Sequence, residues 1–288
     1  MQQSDPRRGI ALMLATTLVF AAQDGISRHL AAEYNVIVVV MLRYWFFAAF
    51  VLAVSSRRPG GIGAVARTEQ PALQIFRGVL LVAEICVMVL AFTLLGLVES
   101  HAIFAAYPLL IAALSGTILG ERVGWRRWAA IAVGFVGVLL IIRPGLRVFS
   151  PEALVAVASA LMFAVYGLLT RFAARKDTAE TSFFWTGVSG AVAISLVGPF
   201  FWEPMTGGDS LWMLALCITG ALGHFLLIKA YEAAEASSVQ PFAYFQLVFA
   251  SLIGVTVFGE VVDPLTAAGA TIIVGAGLYT FWRERVTT

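Results

Sequence analysis

Residues 18–28 of the chain read LVFAAQDGISR, and residues 161–171 read LMFAVYGLLTR, which is a related pattern 143 positions later. A second pair of segments, at an offset of 139, ends on Gly120-Glu121 in the first half and on Gly259-Glu260 in the second. Self-similarity at about half the chain length is typical of duplicated architectures. We therefore predict a chain built from two related halves.

The composition predicts an integral membrane protein. Of the 288 residues, 60% are hydrophobic and 12% are charged, against roughly 25% charged in soluble proteins, and the mean hydropathy is +0.89. A transmembrane helix needs about 20 mainly apolar residues. Ten segments meet that description, near residues 9–28, 36–54, 73–92, 98–119, 127–142, 151–170, 181–201, 211–230, 237–258 and 265–282. The partner environment is a lipid bilayer, and a net charge of only +2 gives no reason to expect a nucleic-acid partner.

Basic residues predict the orientation, because Lys and Arg near span ends remain in the cytoplasm. Thirteen lie on the side of the N-terminus, and three lie on the other side, namely Arg28, Arg143 and Arg147. Both termini are therefore expected in the cytoplasm. Five spans per half is an odd number, so the second half must enter the membrane from the opposite face. The predicted fold is all-α, with ten transmembrane helices in two inverted five-helix repeats, residues 1–144 and 145–288.

Sequence motifs for catalysis are missing. The chain has no phosphate-binding loop of the Gly-x-x-x-x-Gly-Lys type, no His-Glu-x-x-His, no Gly-x-Ser-x-Gly and no Cys-x-x-Cys. Its three histidines, His29, His101 and His224, are too far apart in sequence to indicate a metal site. We expect a protein that is not an enzyme and that uses neither a cofactor nor a metal.

Several residues resemble one known family. The ten-span duplication, the two Gly-Glu endings, Pro108 within span four and Arg43 within span two are similar to EamA-type members of the drug/metabolite transporter superfamily, and most to the YddG-type bacterial amino-acid exporters. The resemblance implies a monomeric secondary transporter of the bacterial inner membrane. It would export amino acids, chiefly aromatic and other large apolar ones, by alternating access about a midplane site. By the 139-residue offset, Leu247 replaces Pro108, so the second half lacks the matching proline.

Polar side chains deep within spans predict the substrate site. Glu84 lies about 16 Å into span three, and Tyr107 and Gln246 lie about 13–15 Å into spans four and nine, near the middle of a core about 30 Å thick. Aromatic, Met and His side chains at similar depth suit an apolar solute with a polar handle. We expect substrate contacts from Gln23, Glu84, Met88, Tyr107, Tyr166, Trp185, His224, Tyr244 and Gln246. Gln23 and Tyr166 occupy equivalent repeat positions, which makes them candidate gates.

Two roles remain open for Glu84. It could line the substrate cavity, and a carboxyl at that depth could also couple transport to protons. Alternatively, it could be a structural ion-pair partner of Arg43 or Arg77. Both roles fit its depth in the span.

Structural roles are expected for the other charged residues near span ends. Asp24 and Arg28 are four residues apart on one helix face and could form an ion pair. Arg77 and Lys229 could extend their side chains to the membrane surface. His101 is expected at the interface, and the Gly-Glu glutamates, Glu121 and Glu260, are expected to cap or anchor loops.

Three rival functions compete with this expectation. The chain could carry another metabolite or drug, although a nucleotide sugar would require more basic residues at the midplane than Arg43 alone. A membrane-embedded enzyme would need a nucleophile and base, or metal ligands, at matched depth, and the sequence offers none. A passive channel would lack saturable counterflow.

Overall fold

The computed structural model describes residues 5–119, 125–142, 151–234, 239 and 242–287. Within these ranges the chain is helical. The helices are α1 (Pro6–Glu33), α2 (Val36–Ser56), α3 (Gly61–Ala66), α4 (Pro71–Phe104), α5 (Tyr107–Leu119), α6 (Trp125–Ile142), α7 (Pro151–Ala173), α8 (Ala179–Ser195), α9 (Gly207–Ala233), α10 (Phe245–Phe258) and α11 (Pro264–Thr287), with a 3-10 turn at Gly198–Phe201. Helices suit a bilayer because they satisfy their backbone hydrogen bonds internally.

Capping side chains fix several helix starts. Asp5 accepts a hydrogen bond from the backbone N–H of Arg8 at the start of α1, and Asn35 accepts one from Ile37 at the start of α2. Thr206 does the same for α9. Each cap satisfies one of the N–H groups that the first helical turn leaves without a partner.

Five of the described helices are long and apolar enough to cross a membrane. They are α1 from Arg7 onward, α2, α4, α7 and α9, and four shorter apolar segments accompany them in α5, α6, α10 and α11. The membrane-embedded, all-helical fold is therefore shown. The exact number of ten spans stays a prediction, as does the repeat boundary, which lies outside the described residues.

Helix α4 contains a sharp turn between the predicted spans three and four, and a second turn divides span four. Gly96 has φ 81° and ψ 177°, a conformation that is essentially restricted to glycine. Residues 97–104 therefore form a short helical segment of their own, which ends at a turn over residues 105–106. Pro108 follows as the second residue of α5, where its missing N–H costs nothing. It starts a helix and does not kink one.

A helix also starts at the matching place in the second half. Phe245, the first residue of α10, corresponds to Ala106 by the 139-residue offset. Leu247 therefore stands at the counterpart of Pro108 without removing the break. The second half lacks the proline but has the break.

The helix contacts stay the same when each helix is exchanged for its counterpart in the other half, so that α1 exchanges with α7 and α4 with α9. Helix α1 packs extensively on α9, and α4 packs on α7; in the same way α1 contacts α10, and α7 contacts α5. Two remaining pairs, α2 with α8 and α6 with α11, each consist of a helix and its own counterpart. A twofold axis within the membrane plane would exchange the helices in this way. The resulting bundle has an Arg28 end and an Arg171 end, named for these equivalent residues, and its core lies between them.

Candidate substrate-binding site

A cavity of about 30 Å³ lies at the centre of the bundle. It has room for little more than one or two water molecules. Side chains from both halves line it: Phe20, Gln23, Asp24, Arg43, Glu84, Ile85, Met88, Val89, Phe92, Phe104, Phe163, His224 and Gln246. The mixture of charged, amide and aromatic groups is that of a solute site, which needs a few convergent polar groups in an apolar wall.

Asp24 is the most heavily hydrogen-bonded acid in this cavity. Gln246 Nε2 donates to its Oδ2 at 3.0 Å, and Gln23 Nε2 donates to its Oδ1 at 3.2 Å. His101 Nε2 lies 3.0 Å from the same Oδ2. The carboxylate thus joins α1 to the 97–104 segment and to α10.

Arg43 has very few partners for a buried guanidinium. It is 2% exposed, and its Nη2 donates to Gln23 Oε1 at 2.9 Å. Among the described residues, no carboxylate is close enough to form an ion pair with it. A Cβ added at Gly220 would lie 2.5 Å from its Nε, so that glycine makes room for the charge. A guanidinium with free donors beside a cavity can accept a carboxylate or another planar anion.

Glu84 contacts neither of the arginines suggested as its structural partners. Its Oε1 accepts a hydrogen bond from Ser159 Oγ at 2.6 Å, and it is 3% exposed. Within the described residues it has no ion pair with Arg43 or Arg77. The carboxyl therefore faces the cavity from α4 while Ser159 of α7 holds it in place.

An aromatic wall with one unpartnered histidine completes the cavity. Both ring nitrogens of His224 are buried without a hydrogen-bond partner in the described structure. The ring lies 5.0 Å from Phe20, centroid to centroid, and Phe163 lies 5.3 Å from Phe104. Unsatisfied buried polar atoms are rare, and these two belong to a residue that lines the cavity.

The expected site residues fall into two groups. Gln23, Glu84, Met88, His224 and Gln246 line the central cavity. The remaining four, Tyr107, Tyr166, Trp185 and Tyr244, do not.

Three of those four still lie near the cavity. Tyr107 and Tyr244 line a smaller neighbouring cavity of about 10 Å³ that Gln246 also borders. Tyr166 packs against His224 at 6.4 Å and stands behind the wall. Trp185 is placed elsewhere, because its Nε1 donates to the backbone oxygen of Ala66, the last residue of α3.

A sequence profile of the EamA-like transporter family matches residues 7–143 and matches again at residues 150–282. The chain belongs to the EamA-like transporter family. The expected EamA-type resemblance is thereby confirmed, and each match covers about one half of this membrane transporter.

Curated relatives of this EamA-like transporter carry different solutes. The S-adenosylmethionine uptake transporter of Rickettsia felis is 26% identical over 277 residues, which are 96% of this chain and 93% of that protein. The riboflavin transporter of Rhizobium johnstonii is 30% identical over 84% of this chain and 80% of its own length. The pseudopaline exporter CntI of Pseudomonas aeruginosa is 26% identical over 94% of each chain. These relatives support a transporter of small molecules; they do not support the narrower likeness to YddG-type exporters.

A solved crystal structure shares the fold of this EamA-like transporter. The two superpose with a TM-score of 0.72 at 19% identity, over 96% of this chain and 98% of the other. At this level of identity the likeness concerns the fold alone.

The Arg28 end of the transporter holds a vestibule of about 690 Å³, lined by Arg28, Phe92, Gly96, Glu99, Glu260 and Asp263 among others. Glu260 pairs with Arg28. Its two carboxylate oxygens also accept the backbone N–H groups of Leu97 and Val98 at 2.9 and 2.7 Å. The expected capping role of Glu260 is confirmed, whereas Glu121 lies outside the described residues.

Hydrogen bonds close the Arg171 end in the described part of the chain. Arg77 Nε and Nη2 donate to Thr170 Oγ1 at 3.1 and 2.9 Å, and its Nη1 donates to Gln74. Gln74 donates in turn to Asp177 at 2.7 Å. The Arg77 guanidinium lies 5.2 Å above the Tyr166 ring, which stands behind the cavity wall. Arg77 is fully buried, so the expectation that it reaches the membrane surface is wrong.

Two further expectations are wrong, because the turn between spans three and four brings His101 to Asp24. Asp24 does not pair with Arg28, since Glu260 pairs with Arg28 and the Asp24 carboxylate faces His101. His101 is 1% exposed and is therefore not interfacial. Lys229 pairs with Glu232 at 2.8 Å.

Sequence reasoning left eight cavity residues out of the site. Arg43 was available to the depth argument, because it is seven residues into span two, about 10 Å deep, whereas Asp24 is only about 6 Å from the nearer end of its span. The other six are apolar, namely Phe20, Ile85, Val89, Phe92, Phe104 and Phe163, and nothing in the sequence separates them from lipid-facing or core residues.

Two other features are weaker candidates for a solute-binding site than the central cavity. An apolar groove of about 360 Å³ between α2, α8 and α9 has phenylalanines and aliphatic side chains for walls, and its polar groups are confined to one rim near the Arg58–Glu180 pair. Across the described ranges no three His, Cys, Asp or Glu side chains cluster as a metal site.

Proposed function

We propose that this EamA-like protein is a secondary transporter for a small solute with a zwitterionic, amino-acid-like head group. The observation that carries the proposal is the position of Arg43. Its guanidinium has one amide partner in the described structure, yet it lines the same cavity as the acids Asp24 and Glu84. Opposite charges that line one cavity without pairing with each other suit a ligand that carries both charges.

The chemistry of each group sets its role in binding. The solute carboxylate would accept hydrogen bonds from Arg43, and charge-assisted bonds of this kind are about twice as strong as neutral ones. The solute ammonium would bind Asp24 or Glu84. The phenylalanine wall and Met88 would take an apolar side chain. Because the cavity is only about 30 Å³, helices must move apart to admit the solute.

The relatives allow a comparison of head groups. S-adenosylmethionine carries an α-amino acid group, whereas riboflavin carries none. A site that uses Arg43 and Asp24 favours the first kind of solute. Export of aromatic and other large apolar amino acids is the narrowest form of the proposal, and the aromatic wall supports it.

The remaining expectations form part of the same proposal. Both termini face the cytoplasm, the protein acts as a monomer in the bacterial inner membrane, and residues 1–144 and 145–288 are inverted repeats. The exchanged helix contacts support the repeats, and the basic residues support the orientation.

Counterflow in proteoliposomes tests the head group. Labelled phenylalanine and S-adenosylmethionine should exchange and should compete with each other, whereas phenylalanine methyl ester and phenethylamine, which lack the carboxylate, should not compete. Arg43→Gln should weaken solute binding by at least roughly 30-fold, the cost of removing one partner of a buried charged bond. Arg58→Gln is the matched control, because Arg58 follows the same helix but its side chain is half exposed. Riboflavin exchange without amino-acid competition, or an unchanged Arg43→Gln variant, would overturn the proposal.

A further inference from the structure

The hydrogen bonds of His101 indicate that this buried histidine and Asp24 hold one additional proton between them. Its Nδ1 lies 3.0 Å from the backbone oxygen of Leu97, and its Nε2 lies 3.0 Å from Asp24 Oδ2. Both neighbours are oxygen acceptors, and a neutral imidazole can donate from one nitrogen only. The pair therefore satisfies both contacts when it carries one proton more than a neutral histidine beside an ionised aspartate.

The other partners of Asp24 assign that proton to the imidazole. Gln23 and Gln246 each donate an amide N–H to the carboxylate. An ionised carboxylate accepts hydrogen bonds from several donors at once, and here the side-chain nitrogens of Gln23, Gln246 and His101 surround it. With Asp24 ionised, His101 satisfies both of its contacts as an imidazolium.

We propose that His101 and Asp24 form a proton site that exchanges with the solute, so that the protein is a proton antiporter. This inference rests on the proposed head group. When the solute ammonium binds the Asp24 carboxylate, it takes the place of the imidazolium. Two cations would then share one buried anion, and the repulsion releases the Nε2 proton to water. No covalent bond other than this N–H is broken, and the histidine remains neutral until the solute leaves.

One aromatic neighbour of His101 borders both the central cavity and the vestibule. Phe92 stacks on its ring at 5.2 Å and lines both the central cavity and the vestibule. His101 also belongs to the 97–104 segment, which turns at both ends and is capped by Glu260. A change of charge at His101 therefore acts directly on the segment between the cavity and the vestibule.

Other charged groups set the background for this site. Arg28 and Glu260 lie toward the vestibule and compensate each other, and Glu99 lines the same space. Arg43 and Glu84 line the cavity, and His224 faces it from α9. Among these groups, His101 is the one whose two polar atoms both face oxygen acceptors while a cavity carboxylate holds one of them.

The aspartate and histidine of this proton site have no equivalents at the matching positions of the second half. By the repeat offsets, Gly167 replaces Asp24 and Gln240 replaces His101 in the second half. The duplication therefore supplies one proton site, and we expect one proton released for each solute bound.

Nitrogen-15 NMR on histidine-labelled protein tests the proton without requiring transport. With only three histidines in the chain, substitution assigns each signal. Without solute, His101 should show N–H signals on both nitrogens, and saturating phenylalanine should remove one of them. A neutral His101 in the free protein would overturn the inference and leave the proposed function intact. So would an imidazolium that persists while bound solute is detected.

Proton release on binding supplies the second measurement. In weakly buffered solution, phenylalanine binding should release about one proton for each solute bound. His101→Gln keeps a donor for Asp24 but holds no exchangeable proton, so its proton release should be lost. His29→Gln, at a partly exposed histidine, is the control and should behave like the parent. Proton release that persists in His101→Gln would assign coupling to another group and overturn the inference. If phenylalanine does not bind although His101 is an imidazolium, the proposed substrate head group is wrong. The proposed exchange of a proton for the solute is then wrong as well.

Discussion

At the scale of single residues, the site depends on how closely Gly220 approaches Arg43. A Cβ at position 220 would lie 2.5 Å from Arg43 Nε, so Gly220→Ala must displace the guanidinium without removing its charge. We expect solute affinity to fall by roughly tenfold, which corresponds to about 1.4 kcal/mol. Isothermal titration with the purified transporter measures this loss.

A second helical glycine provides the control for that variant. Gly275→Ala places its Cβ where nothing lies within 4 Å. Its affinity should remain that of the parent, and its stability should be equal or slightly higher because alanine favours the helix by about 0.5–1 kcal/mol. Equal affinities for the two variants would show that the position of Arg43 does not control binding.

The residues of the site were partly predictable, and the failures have a physical cause. The depth argument named Glu84, Tyr107 and Gln246, and of these Glu84 and Gln246 line the central cavity whereas Tyr107 lines the smaller one beside it. The pairing of Asp24 with His101 joins residues 77 positions apart. It depends on the turn at Gly96, and a lone glycine in an apolar run does not announce a turn.

At the scale of elements, the turn at Gly96 should be intolerant of any side chain. Its φ of 81° and ψ of 177° would strain alanine, and a Cβ there would lie 2.8 Å from Glu260 Oε1. We expect Gly96→Ala to destabilise the protein by about 1–3 kcal/mol from backbone strain alone. Thermal unfolding in detergent measures the change. Gly61→Ala also has a positive φ but meets nothing within 4 Å, so its loss should be clearly smaller.

The cap of the 97–104 segment gives a second prediction for an element. Glu260 holds the N–H groups of Leu97 and Val98, so Glu260→Gln loses one carboxylate acceptor and the ion pair with Arg28. We expect amide exchange at residues 97 and 98 to accelerate roughly 5–30-fold, as for a local loss of one or two kcal/mol. Hydrogen exchange with mass spectrometry measures it.

An exposed ion pair serves as the control for the cap. Glu180 pairs with Arg58 where both side chains are largely in solvent, and pairs of that kind contribute little. Glu180→Gln should leave exchange in the 97–104 segment unchanged. If Glu260→Gln also leaves it unchanged, the carboxylate does not hold the turn.

At the scale of the whole molecule, the two ends of the bundle differ although the chain is duplicated. The repeat and the hydropathy correctly indicated a membrane-embedded helical transporter, because apolar length and self-similarity are properties of the sequence alone. The access state is a property of packing. A vestibule opens at the Arg28 end, whereas the Arg77 network closes the described part of the Arg171 end. Equivalent positions in the two halves therefore have different surroundings.

This difference between the ends predicts an asymmetric pattern of thiol labelling. In a background without Cys86 and Cys217, Ala31→Cys in the vestibule should react with a membrane-impermeant maleimide added outside the cell. Ala173→Cys, fully buried at the Arg171 end, should react from the cytoplasmic side at least about tenfold more slowly, because a minor conformation is populated at roughly 0.1–10%. Saturating solute with a reversed gradient should reduce the ratio, since the closed end must then open. Reaction of Ala31→Cys from the cytoplasmic side alone would contradict the orientation. Equal rates at both positions without solute would mean that the network around Arg77 does not close that end.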